Sequence, residues 1–162
     1  MGKVFIFLLI LSQTLVQSEK TISGKVISVI DGNTIEISAE KNKNDRVVLL
    51  GIDCPEMTQA YGEEAKKHLE KWLLHREVVV HIHGKDRFKN YIGVVLLKGL
   101  RDVRFDLLEQ GLAWSAEKNP LSELESVRLQ AEKKKKGLWE QKTPTPPWVY
   151  RRQQSMLAPK SR

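Results

Sequence analysis

Val47-Val48-Leu49-Leu50-Gly51-Ile52-Asp53-Cys54-Pro55-Glu56 is the stretch from which the rest of the chain is read. It starts as a short apolar run rich in β-branched residues and bounded upstream by Asn44-Asp45, the pattern of a core strand. Gly51 permits a bulge or a close backbone approach. Pro55 removes a hydrogen-bond donor and biases Cys54 towards an extended conformation. Asp53 and Glu56 therefore stand where strand gives way to loop. Two carboxylates placed there have three readings: joint ligands of a hard cation, a ligand beside a general base, or two ordinary acids on a surface turn.

Upstream, residues 22–30 and the alternating Thr34-Ile35-Glu36-Ile37-Ser38 predict two strands joined at Asp31-Gly32-Asn33, a strong turn signal. Residues 40–45 read as a polar loop. Downstream, residues 61–75 predict a helix with Ala65, Leu69, Trp72 and Leu73 on one face. Residues 77–83 and 91–97 predict two more strands around the polar loop Gly84–Asn90. Residues 102–110 predict a short helix closed by Gly111, and residues 121–136 a third, ended by Gly137. From Thr143 the chain is proline-rich and basic, and reads as an extended tail with Trp148 and Tyr150 as docking points. Five strands with a helix between the third and fourth is the order of an OB-fold, a mainly β architecture: a Greek-key barrel, here with about three helices.

The N-terminus reads differently. Lys3 precedes an apolar run from Val4 to Leu11 too short to span a bilayer, and a polar stretch follows, as in a secretory signal peptide. The domain reading is thus a signal peptide over 1–18, the folded domain over 19–140 and the tail over 141–162. It implies export to a periplasm or to the outside, with no membrane span left after cleavage. Losing residues 1–18 takes the net charge from +7 to +6, since Lys3 is the charged residue there. Such a basic protein suits DNA, RNA or another polyanion. The single cysteine, Cys54, excludes an internal disulfide framework, so packing must hold the fold of what is expected to be a monomer.

Several of these motifs together resemble the staphylococcal nuclease (thermonuclease) family. They are Val29-Ile30-Asp31-Gly32-Asn33-Thr34, Leu49 to Glu56, Tyr61-Gly62-Glu63-Glu64-Ala65, Asp86-Arg87-Phe88 and Gln110-Gly111-Leu112-Ala113. They occur in the family's order from about Ile22 to Trp139, and Pro146-Pro147-Trp148 to Arg152 resembles the ending of many bacterial members. The resemblance implies an OB-fold barrel that hydrolyses DNA and RNA phosphodiesters with Ca²⁺, a glutamate base and two arginines that neutralise the transition state. Carried over by position, it implies Asp53 as a metal ligand, Cys54 as a ligand through its backbone carbonyl, and Glu56 as the base.

Other positions depart from the family. A second metal carboxylate is Asn33 here, which predicts weak Ca²⁺ binding. The two arginine positions are Val48 and Asn90. Loss of one guanidinium of this kind costs roughly 10³–10⁵ in rate, so the expected reading is a nucleic-acid-binding domain with strongly reduced or lost phosphodiesterase activity. A second reading keeps catalysis and relocates the phosphate clamp. Arg46 lies on the same strand face as Val48, roughly 7 Å along, and Arg87 with Lys89 flanks Asn90. A third makes the domain a protein-interaction module working through its Trp148/Tyr150 tail. The resemblance also implies that Arg87 and Phe88 meet the nucleotide, with Phe88 keeping stacking but lacking a hydroxyl. Lys85, Lys89, Arg101, Arg104 and the run Lys133 to Lys136 are further candidates for phosphate contacts. His81 and His83 share a strand face, a spacing that metal sites use, but read better as exposed strand residues. His68 and His75 read as surface residues of the first helix, and Trp114 as a packed core residue or a stacking surface.

Overall fold

A computed structural model describes residues 20–39, 44–97 and 101–157. The expected signal peptide lies outside these residues, as do 40–43 of the polar loop and the last five residues of the tail.

The strands are β1 (Lys20–Val29), β2 (Thr34–Ser38), β3 (Asn44–Leu49), β4 (Ile52–Asp53), β5 (Glu77–Lys85), β6 (Tyr91–Leu97), β7 (Arg101–Asp102) and β8 (Trp114–Ser115). The helices are α1 (Gly62–Leu73), α2 (Val103–Glu109), α3 (Ser122–Lys133) and α4 (Pro147–Leu157). Antiparallel pairing runs β3-β2-β1-β5-β6, and the sheet closes on itself through a parallel β3–β6 contact that matches Val47 with Tyr91 and Leu49 with Gly93. Closure removes the unpaired edges that an open sheet would present. The result is the expected five-stranded OB-type barrel, with two-residue β7 added beside β6 and β4 paired to β8.

Alternation places the core. Val47 and Leu49 of β3 and Ile35 and Ile37 of β2 point inward and are buried, as are Val26, Val80 and Val95. Ala65, Leu69 and Leu73 of α1 close one side of this core, with Leu107 and Leu108 of α2 and Leu124 of α3 joining it. Trp72, expected on the same face, is only half-buried and lies under the Arg101 guanidinium at 4.1 Å. His68, expected at the surface, is half-buried. Its Nε2 has no hydrogen-bond partner, and burial pushes its imidazole pKa below the ordinary value.

Four sequence expectations are corrected. Asn44 and Asp45 begin β3 instead of ending a loop. The long apolar run is broken at Leu50-Gly51, where Gly51 takes φ 80° and lets the chain turn from β3 into β4. Arg104 is a structural residue and not a phosphate contact, and Arg101 is engaged in an ion pair within the fold. Arg104 is buried on the Asp102 carboxylate and donates to the Leu50 carbonyl at 2.8 Å, while Arg101 pairs with Asp106. Finally, the tail is not extended throughout. Pro147 occupies the first position of α4, where a missing N–H costs nothing, so the described residues form four α-helices where about three were expected.

Candidate functional site

Three segments converge on the carboxylate pair. The Asp31–Asn33 turn caps itself, with the Asn33 N–H donating to Asp31 Oδ1 at 3.0 Å, and the Leu49 N–H donates to the Asn33 carbonyl at 2.8 Å. Cys54 lies directly against this turn, with its thiol 3.2 Å from the Gly32 carbonyl oxygen. A Cβ at Gly32 would stand 2.6 Å from the Cβ of Cys54 and 2.7 Å from that of Ala65. Only a residue without a side chain lets turn, elbow and α1 meet this closely. Beyond Pro55, the Glu56 N–H donates to Gln59 Oε1 at 3.1 Å and the Gln59 N–H returns to the Glu56 carbonyl at 2.8 Å. The loop carrying Glu56 is therefore held from both directions.

The cation on this pair comes from the tail. Arg151 of α4 donates through Nη2 to Asp53 Oδ2 at 2.6 Å, and through Nη1 to Asp53 Oδ1 at 3.2 Å and to Glu56 Oε1 at 2.6 Å. Burial pushes the Asp53 carboxyl pKa up. The Arg151 guanidinium works against this, and the neighbouring charges of Glu56 and Asp31 add to the rise. The bonds to Asp53 raise the Arg151 pKa further, so the guanidinium stays charged. Three neighbouring contacts dock the tail. The Tyr150 hydroxyl shares a 3.0 Å hydrogen bond with Thr58 Oγ1, Gln59 Nε2 donates to the Thr145 carbonyl at 2.6 Å, and Arg152 pairs with Glu117 at 3.0 Å. Trp148 packs edge-on against Trp114 at 5.8 Å, and Trp114 against Trp139 at 4.4 Å. Trp114 is thus one member of a packed tryptophan stack.

The side chains so arranged do not fit a resident Ca²⁺. That ion takes six to eight oxygen ligands. Among the described residues no three His, Cys, Asp or Glu side chains form a group that could hold a metal, His81 and His83 included. Asp53 gives both oxygens to Arg151 and Glu56 gives one.

The remaining candidates lie elsewhere. Arg46 is exposed on β3 opposite Glu36, and Val48 is half-buried between Thr34 and Ile92. Arg46 and the loop after β5 share the end of the β3–β6 pair at which both strands begin. In that loop Asp86 accepts from the Phe88 N–H at 2.8 Å, the Asn90 N–H at 2.9 Å and Asn90 Nδ2 at 2.8 Å. The Asn90 side chain thus serves the loop. Phe88 is left 69 % exposed, with the Arg87 guanidinium 4.7 Å from its ring centre and Lys89 beside it. Lys85 lies over Tyr91 at 4.4 Å. Sequence reasoning missed Arg151 as a partner of the pair. The available signals were two carboxylates lacking both expected arginines, and a guanidinium directly after the docking residues Trp148 and Tyr150.

Residues 46–141 match the family model described as staphylococcal nuclease homologue. The chain is 32% identical over 131 residues to an uncharacterized endonuclease of Escherichia coli O157:H7, a match covering 80% of this chain and 85% of the relative. It is 33% identical over 141 residues to protein ParB of Escherichia coli, covering 80% and 79%. It is 28% identical over 140 residues to the micrococcal nuclease of Shigella flexneri, covering 80% of each. A barrel of this topology, with one carboxylate on β4 and the other just beyond it, and with relatives matched along most of their length, is a member of the staphylococcal nuclease family.

Proposed function

We propose that this protein is an exported nucleic-acid-binding domain of nuclease ancestry whose phosphodiesterase activity is strongly reduced. The observation that carries the reading is the loop after β5. Asp86 fixes its backbone, Asn90 is spent on that fixation, and Phe88 is presented to solvent among Lys85, Arg87 and Lys89. An exposed ring among cations is what a single strand needs, because bases stack on the ring while phosphates meet the charges. Reduced catalysis is supported by Val48 and Asn90 standing where the family places arginines, and by the Glu56 carboxylate being engaged with Arg151. The names of the relatives, an endonuclease and a nuclease, favour a second reading in which activity is kept; by the family resemblance that would be a Ca²⁺-dependent endonuclease with Glu56 as base and Arg46 or Arg87 as clamp.

Two measurements on the purified domain decide between them. Single-stranded DNA should bind with strong salt sensitivity, and Phe88→Ala should weaken binding by about 1–3 kcal/mol in fluorescence anisotropy. Hydrolysis with Ca²⁺ should be slow and indistinguishable between the wild type and Glu56→Gln. Ca²⁺-dependent cleavage abolished by Glu56→Gln would install the second reading. No salt-sensitive binding at all would remove nucleic acid as the ligand and favour protein interaction through the tail.

A further inference from the structure

The close of α1, the start of β5 and the end of β6 surround a cavity of about 500 Å³, within the size range of small-molecule sites. Glu77 opens β5 and Lys85 closes it, so roughly 26 Å of strand separates this cavity from the loop that carries Phe88. Arg101 forms one wall in a fixed pose. Its guanidinium lies 4.1 Å from the centre of the Trp72 ring, and Asp106 holds its edge, accepting from Nε at 2.9 Å and from Nη2. Asp106 is buried, whereas 53% of the Arg101 side chain is accessible. The plane is thus backed by an indole and pinned along its edge, and its other face is left open. Its charge is already answered by Asp106. Such a guanidinium is a stacking surface more than a free cation, because arginine planes stack on flat rings and receive unstacked bases.

Cations for a phosphate are supplied separately. Lys71, in the last turn of α1, and Arg76 both line the cavity and are exposed. Glu77 is the acid of the lining, and set against Lys71 and Arg76 it leaves one net positive charge once Arg101 is paired with Asp106. That balance matches a single phosphate better than a triphosphate. His75 also lines the cavity, and it holds φ 64° just after α1, where glycine would meet no steric cost. Side chains kept in such a backbone conformation cluster at ligand clamps. We infer that this cavity is a nucleotide site, in which a base stacks on the open face of Arg101 and its phosphate meets Lys71 and Arg76. A free mononucleotide and the phosphorylated end of a strand present the same chemistry here. The site lies apart from the loop after β5, so it stands or falls independently of strand binding there.

The test titrates dAMP into the isotope-labelled full chain and follows backbone amides and tryptophan indole N–H groups by NMR. The Trp72 indole and the amides of His75, Arg76 and Glu77 should move together, whether or not residues 86–90 also respond. Replacing Lys71 and Arg76 together by glutamine should weaken dAMP roughly three- to tenfold, since exposed charge pairs are individually modest. Arg101→Lys keeps a charge beside Asp106 but loses the plane, and should weaken dAMP about fivefold or more. Deoxyribose 5-phosphate, which has no base, should bind wild type and Arg101→Lys alike. A 5′-phosphorylated dA trinucleotide that moves the same signals at lower concentration than dAMP makes a strand end the source, and one that moves none of them makes it the free nucleotide. Four outcomes would each overturn the site: no movement at all, movement confined to residues 86–90, dAMP affinity unchanged in either variant, or a loss for deoxyribose 5-phosphate in Arg101→Lys equal to that for dAMP.

Discussion

Cys54 sits between the residues that hold Arg151, yet its own chemistry is suppressed. It is 2% exposed, and burial pushes its thiol pKa well above the ordinary value, with the charges of Asp53 and Asp31 adding to the rise. A thiol held in its neutral form is a poor nucleophile. In the native protein at neutral pH, Cys54 should react with a disulfide reagent far more slowly than in denaturant, where one thiol per chain should titrate. Rapid native reaction would mean that the elbow opens away from the Asp31–Asn33 turn. The same packing makes Gly32 sensitive. Gly32→Ala forces a Cβ against Cys54 and Ala65, and overpacking of this kind costs about 1–3 kcal/mol. Chemical denaturation would measure that loss, and faster Cys54 labelling should accompany it.

Elements are joined here by charge as well as by apolar contact. In α3, Arg128 donates to Glu125 at 2.8 Å and to Glu132 at 2.9 Å while lying 5.1 Å from the Trp139 ring, and Ser115 of β8 donates to Glu125. The bonds from Arg128 hold the Glu125 carboxyl below the ordinary glutamate value of 4.5. A depressed pKa stabilises the fold only while the group is ionised. This contribution is complete above about pH 4.5 and is lost as pH falls through the lower folded value. Wild type and Glu125→Gln should therefore differ most in denaturation midpoint near neutral pH and converge in acid. A constant difference across that range would show that Glu125 acts through packing alone. The five barrel strands were legible because alternation and turn residues are local signals, and Asp53 with Glu56 was legible because proline marks where a strand stops. The α4 helix was not, because three prolines within four residues read as extended chain although Pro147 is well placed to start a helix. Arg151 was out of reach for a different reason. Its partner Asp53 is 98 residues away, and the pairing exists only once the tryptophan stack has docked the tail.

Across the whole molecule the charges are separated. The chain carries a net +7, yet the elbow holds Asp53 and Glu56 on one arginine with the charge of Asp31 close to Asp53, so the excess positive charge lies elsewhere. A polyanion approaching this surface is drawn towards its basic regions and away from the elbow. Among the described residues, the loop after β5 combines positive charge with an exposed ring, whereas Lys133 to Lys136 combine charge with none. The two regions can be told apart by ion release. Each phosphate neutralised on single-stranded DNA contributes about 0.7 to the slope of log affinity against log salt. Replacing Lys85, Arg87 and Lys89 together by glutamine should therefore lower that slope by about 2, with Phe88 left to hold a weaker, less salt-dependent complex. The same replacement at Lys133, Lys134 and Lys135 should leave the slope nearly unchanged. The reverse pattern would put the strand on the end of α3, and Phe88 would then be exposed for a reason unrelated to nucleic acid.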